Sequence, residues 1–153
     1  MDPVHPEFVP DPSLSREEMK DQQRAIADAA VFSDALAFDP LEPSSGDSAI
    51  VAGVDQGFDG ENATSAIVVC QGGEVIERVY ATERAEIPYI PGLLSFREGG
   101  SILAAFELLE SEPDVVLVDG SGRIHFREAG LATHIGVTLD VPTIGVIQRL
   151  LCG

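Results

Sequence analysis

AIVAGVDQGFDGENATSAIVVCQGGEVIERVYAT, residues 49–82, decides the fold. Within it, residues 49–55 (AIVAGVD) and 64–70 (TSAIVVC) are apolar runs of strand length. Residues 74–82 (EVIERVYAT) form a third run, reached through Gly72-Gly73. Strands joined by connections this short predict an antiparallel meander. Upstream, Ser15 and Glu18 have capping-box spacing. Met19, Ile26, Ala29 and Ala30 then mark one face of a helix expected over residues 15–32. Residues 1–14 hold four prolines and no periodic pattern, so they are expected to be a disordered tail. Residues 39–48 (DPLEPSSGDS) read as a linker, and 15–153 as one domain.

Downstream, Pro88 and Pro91 place PYIPG (88–92) in a loop. Ser95 and Glu98 repeat the capping-box spacing, and Ile102, Leu103, Phe106 and Leu109 continue as a helical stripe. Residues 115–118 (VVLV) have the texture of a strand covered on both faces. Leu131, Ile135 and Leu139 mark another helix, and residues 142–147 another strand. The order is helix, three strands, helix, strand, helix, strand. An antiparallel meander followed by parallel strands with helices is the ribonuclease H-like α/β arrangement. A doubly wound sheet would need a helix between the first two strands, and their connection is too short to hold one.

The 153 residues are 44% hydrophobic, enough for one domain with a real core. No apolar run approaches the roughly 20 residues that span a bilayer. The opening MDPVHPEFVPDP lacks the basic-then-apolar pattern of a secretory signal, so a cytoplasmic location without membrane attachment is expected. Cys70 and Cys152 are too few for a structural zinc site and read as reduced thiols. Twenty-six acidic residues against 9 basic ones give a net charge of -17, with Lys20 the one lysine. Charge alone argues against duplex binding, which draws its affinity from neutralised phosphates. Near 1 M salt the Debye length shrinks to about 3 Å, and a carboxylate surface then repels phosphates little. An acid-rich, lysine-poor chain therefore points to a salt-adapted organism.

Asp55 ends the first strand and Asp119 ends the VVLV strand. If these strands are parallel neighbours, both carboxylates emerge at the edge where α/β sheets bind ligands. Glu98 would lean into the same crevice from the first turn of the intervening helix. Three convergent carboxylates need a counter-charge, and oxygen ligands suit Mg²⁺ or Mn²⁺. Each acid also has a plainer use, in a strand-end turn or in a capping box. His125 and His134 suit satisfied structural histidines as well as active ones. Gly120, Gly122, Gly130 and Gly136 serve tight turns and helix packing, or leave room for a flat base. Tyr89 and Phe126 are loop aromatics on which a base could stack.

Taken together, GVDQGF (53–58), PYIPGLLSFREG (88–99), VDGSGRIHFREAGLATHIGV (118–137) and PTIGV (142–146) resemble the endonuclease V family, over residues 49–153. The resemblance implies a ribonuclease H-like fold and Mg²⁺-dependent hydrolysis of the second phosphodiester 3′ to deoxyinosine in DNA, with inosine in RNA as a further substrate. It implies that Asp55, Glu98 and Asp119 hold the metal and that His125 stands near the scissile phosphate. Tyr89, Ile90, Pro91 and Gly92 match the family's wedge. The Gly120–Gly122 turn and the Gly136 region match its pocket for a flipped base. Two positions depart: Gln148 stands where lysine is usual, and Phe126 where proline is usual. Family members also continue past the last strand legible here. By that resemblance the domain is expected to lack a C-terminal part, one further metal-site residue and the cover of an apolar sheet face. Two expectations follow: a lesion-directed endonuclease, or an inactive remnant that binds nucleic acid weakly.

Overall fold

The computed structural model describes residues 1–33, 36, 38 and 49–148. The expected linker at 39–48 and Cys152 lie outside them. Helix α1 (Arg16–Ala29) starts at the predicted capping box: the Ser15 N–H donates to the Glu18 carboxylate at 2.8 Å, and the Glu18 N–H donates to Ser15 Oγ at 3.3 Å. It stops at Ala29 because Ala30 takes an extended backbone. The buried stripe is Met19, Gln23 and Ile26, and Ala29 is exposed.

Residues 1–14 are not a tail. Pro6–Phe8 forms a short 3-10 turn, and the N–H groups of Val4 and His5 both donate to the Thr138 carbonyl at 3.0 Å. The amino terminus donates to the Phe106 carbonyl at 2.6 Å. Both carbonyls belong to the last turns of helices; that of Thr138 takes its donors from the strap, and that of Phe106 also accepts from the Leu109 N–H at 3.1 Å. The prolines thus stiffen a strap that satisfies two helix ends.

The sheet has order β3-β2-β1-β4-β5. Strands β1 (Ile50–Asp59), β2 (Asn62–Gln71) and β3 (Glu74–Arg84) form the predicted antiparallel meander. Strands β4 (Val115–Asp119) and β5 (Thr143–Val146) add to β1 in parallel. Helices α2 (Leu94–Glu107) and α3 (Leu131–Leu139) cover one face. There Ala52, Val54, Ile67, Val116 and Val118 pack against Ile102, Phe106, Leu131 and Ile135. Strand alternation turns Val68, Leu117, Ile144 and Val146 to the other face, where they are exposed. On that face of β4, Val115 is buried and Leu117 is 38% exposed, so among the described residues the second face is only partly covered. No described helix is long and apolar enough to cross a membrane.

The second predicted capping box does not form. Leu93 occupies the N-cap of α2 without a side-chain cap bond. It is buried with Met19 and Phe96, and this apolar anchor sets where the helix begins. Ser95 and Glu98 are thereby carried inside the helix, with the Glu98 side chain free of capping duty.

Candidate active site at the strand ends

The parallel ladder between β1 and β4 ends at Val54↔Val118. One residue further, Asp119 ends β4 beside Asp55, which does not end its own strand as expected: β1 runs on to Asp59, held by continued pairing with β2. Glu98 on α2 joins them in lining a cavity of about 490 Å³. Burial pushes the Glu98 carboxyl up to about 7, with Asp119 and Asp55 adding to the shift and Arg97 opposing it. Asp119 is also raised, first by burial, then by the charge of Asp55 and a hydrogen bond to it. The carboxylates of Asp55 and Asp119 thus make Glu98 harder to ionise. An all-oxygen donor set with excess negative charge fits a hard divalent cation such as Mg²⁺. Among the described residues, no group of three His, Cys, Asp or Glu side chains is gathered as a metal-holding cluster.

Tyr89, Gly92, Gly120 and His125 line the same cavity, as do Gln56, Ser121 and Gln148. No lysine or arginine is among the described residues lining it. Ile90 instead packs on the Met19–Leu93–Phe96 cluster, and Pro91 is exposed outside the cavity lining. Within the wedge sequence the exposed ring is Tyr89, 63% exposed. Gly122 sits behind the wall, its carbonyl accepting from the Gly130 N–H at 3.0 Å. Gly136 does not reach the cavity. It is buried in α3 against β5, where an added Cβ would lie 2.2 Å from Thr143 Oγ1. Close helix–strand packing, and not room for a base, is what requires glycine there.

His125 Nδ1 accepts from the Arg127 N–H at 3.3 Å, and the ring also bonds to the Gly92 backbone. Burial, followed by the Arg127 charge, lowers its pKa and keeps it neutral. His134 lies deeper. Its Nε2 donates to the Phe8 carbonyl at 2.7 Å, so Nδ1 accepts from Ser95 Oγ at 2.8 Å. Burial pushes this imidazole down to about 4. His134 is thus a structural tie between strap, α2 and α3.

Two residues absent from the sequence reading organise the loops: Gln23 and Arg127. Gln23 Nε2 donates to the carbonyls of Gly92 and Ala129, at 2.9 and 3.3 Å. Arg127 donates from Nε to Gln23 Oε1 at 2.6 Å and from Nη2 to the Gly92 carbonyl at 2.8 Å. Gly92 has φ +79°, and an added Cβ would lie 3.0 Å from Arg127 Nη2. A signal for Gln23 exists in the sequence. It is a polar residue four after Met19 and three before Ile26, on the apolar stripe of α1.

A five-stranded mixed sheet with paired aspartates where two adjacent parallel strands stop pairing defines a ribonuclease H-like protein. The endonuclease V family model matches residues 34–153, and the chain belongs to that family. It is similar to endonuclease V of Haloarcula marismortui, 63% identical over 99% of this chain and 63% of the relative. With that of Natronomonas pharaonis it shares 57% identity, over 100% of this chain and 61% of the relative. The structure of the Bacillus subtilis endonuclease V aligns with a TM-score of 0.79 at 31% identity, over 99% of this chain and 62% of that one. The Ciona intestinalis endonuclease V, solved with DNA containing an inosine followed by a ribo-adenosine, aligns at 0.76 and 28% identity, over 88% of this chain and 58% of that one. The chain thus spans about three fifths of the length of the relatives it matches.

Proposed function

We propose that the protein is a metal-dependent endonuclease acting in the cytoplasm on DNA that contains deoxyinosine, with inosine in RNA as a second substrate. In this reading Asp55, Glu98 and Asp119 would hold Mg²⁺, or Mn²⁺ in its place. Bound there, the cation would supply charge stabilisation at the phosphoryl oxygens and lower the pKa of the attacking water. Cleavage at the second phosphodiester 3′ to the lesion follows from the family resemblance.

Asp55 and Asp119 would set the donor edge from two rigid strands, and Glu98 would close it from α2. His125 would stand beside the scissile phosphate, its ring oriented by Arg127 and Gly92. Tyr89 would fill the stack beside the lesion, supported by the Ile90-Pro91-Gly92 backbone. The Gly120 turn and Ser121 would face the extruded base. Extrusion costs a few kcal/mol and least for a weakly paired base, which favours hypoxanthine. Gln148 supplies amide donors and no positive charge at the rim.

The observation that carries this reading is the convergence of Asp55, Asp119 and Glu98 on one cavity. The test is incubation of the purified protein with a deoxyinosine oligonucleotide, Mg²⁺ and molar KCl. A nick that Asp55→Ala abolishes supports the endonuclease. A second reading, a non-catalytic fragment that binds nucleic acid weakly, is favoured by the lack of a gathered metal-holding cluster among the described residues. Binding without a nick at any salt or metal concentration would select it.

A further inference from the structure

We propose that Phe126 is a second base-stacking platform at the rim, and that affinity for nucleic acid here comes from stacking more than from phosphate neutralisation. The proposal rests on the nucleic-acid reading above.

The charge inventory makes the first half of the argument. The chain carries -17 overall, and no described lysine or arginine lines the carboxylate cavity. Among the described residues, the arginines of the neighbouring elements have donors engaged within the protein, and one of them is paired with a carboxylate. Arg97 donates to the Ile87 carbonyl and lies 4.6 Å over the Phe58 ring. Arg123 pairs with Glu128 at 3.0 Å and covers Phe32. Arg127 is held by Gln23 and Gly92. Among the described residues, a strand crossing this rim would therefore meet no lysine or arginine in the cavity lining and few uncommitted guanidinium donors beside it, which limits the direct phosphate contacts that release counterions.

The rim does offer aromatic faces. Phe126 is 63% exposed, as is Tyr89; Gly92 lines the cavity together with Tyr89, and its added Cβ would sit 3.2 Å from the Phe126 ring. Phe126 is not carried on a slack loop. The Glu128 N–H donates to the His125 carbonyl, the Arg123–Glu128 pair spans the loop, and Arg127 anchors its other side. The His125 ring meets Phe126 in a T-shaped contact at 5.7 Å, and the phenyl ring still keeps 63% of its surface exposed. Such bracing holds an apolar ring in water, where it gains nothing for the fold. Base stacking uses the π-face every base has and releases no counterions, so it survives molar salt.

The chain contains no tryptophan, so Phe126→Trp introduces a single fluorescent reporter. Binding of a short single-stranded deoxyinosine oligonucleotide is read by anisotropy in EDTA, where no strand is cut. Phe126→Ala is expected to weaken binding about tenfold, by a similar factor at low and at molar KCl. Phe126→Trp is expected to bind at least as well as the parent and to lose emission as the oligonucleotide saturates it. Equal binding by Phe126→Ala, or unchanged emission from the F126W protein at saturation, would overturn the stacking proposal alone. Absence of any binding by the parent protein at every KCl concentration would overturn the nucleic-acid reading and this proposal with it.

Discussion

Gln23 in α1 and Arg127 in the loop before α3 lie 104 residues apart and are joined by a 2.6 Å hydrogen bond from Arg127 Nε to Gln23 Oε1. Gln23 is 1% exposed and also serves the Gly92 and Ala129 carbonyls. One side chain therefore ties the N-terminal helix to both loops that border the cavity. Removing a buried partner and leaving its mates unpaired costs about 1–3 kcal/mol. Gln23→Ala should lower stability by that amount in urea unfolding. Amide exchange should accelerate at residues 88–93 and 123–130 before it does in the sheet. Gln23→Glu keeps the acceptor for Arg127 and should restore part of the loss.

Glu98 and His134 should act on stability with opposite signs. The Glu98 carboxyl titrates near 7 in the fold against an ordinary 4.5, so metal-free protein loses stability as pH rises from about 4.5 to about 7. The raised Asp119 works in the same sense. His134 titrates near 4 against an ordinary 6.5, so stability falls as pH drops from about 6.5 to about 4. Each limb amounts to about 3 kcal/mol at 1.36 kcal/mol per pKa unit. In EDTA the parent should show a nearly flat profile where the windows overlap. Glu98→Gln should expose the His134 limb, seen as stability rising from pH 4 to 6.5 in denaturant titrations.

Divalent cation should relieve the crowding of acids. Mg²⁺ is expected to raise the Tm of the parent at pH 8, because ligand binding to the native state stabilises it by mass action. Asp55→Asn should show a higher Tm than the parent in EDTA and a smaller Mg²⁺ increment. An equal increment in both proteins would remove Asp55 from the metal site.

Gly136→Ala separates packing from recognition. Its Cβ would collide with Thr143 Oγ1, which donates to the Ala132 carbonyl at 2.9 Å. Overpacking of this kind costs about 1–3 kcal/mol. The variant should lose that stability in urea, and Thr143→Ala in the same chain should recover part of it. A change in oligonucleotide affinity with unaltered stability would return Gly136 to the base pocket.

Much of the site was legible in the residues because it rests where the parallel β1–β4 ladder stops, although β1 itself runs on past Asp55 to Asp59. Asp55 and Asp119 each follow a short apolar run, and once β1 and β4 pair in parallel their meeting is a matter of register. The meander, helices α2 and α3, and the β5 strand were likewise written in local periodicity and turn chemistry. Endonuclease V membership was carried by strings such as PYIPGLLSFREG, which no periodicity argument could replace.

Tertiary structure alone decided the rest, since it depends on contacts between distant segments. The proline-rich start became a strap because the Thr138 carbonyl at the end of α3 takes the Val4 and His5 N–H groups, and the amino terminus adds a bond to the Phe106 carbonyl near the end of α2. Ser95 was taken from the helix cap by the buried Leu93 anchor and given to His134. Gly136 was claimed by Thr143, and Gln23 by two loops at once. Local sequence specifies which backbone a segment prefers. Which polar group it must satisfy, and which side chain it must make room for, is settled only when the segments pack.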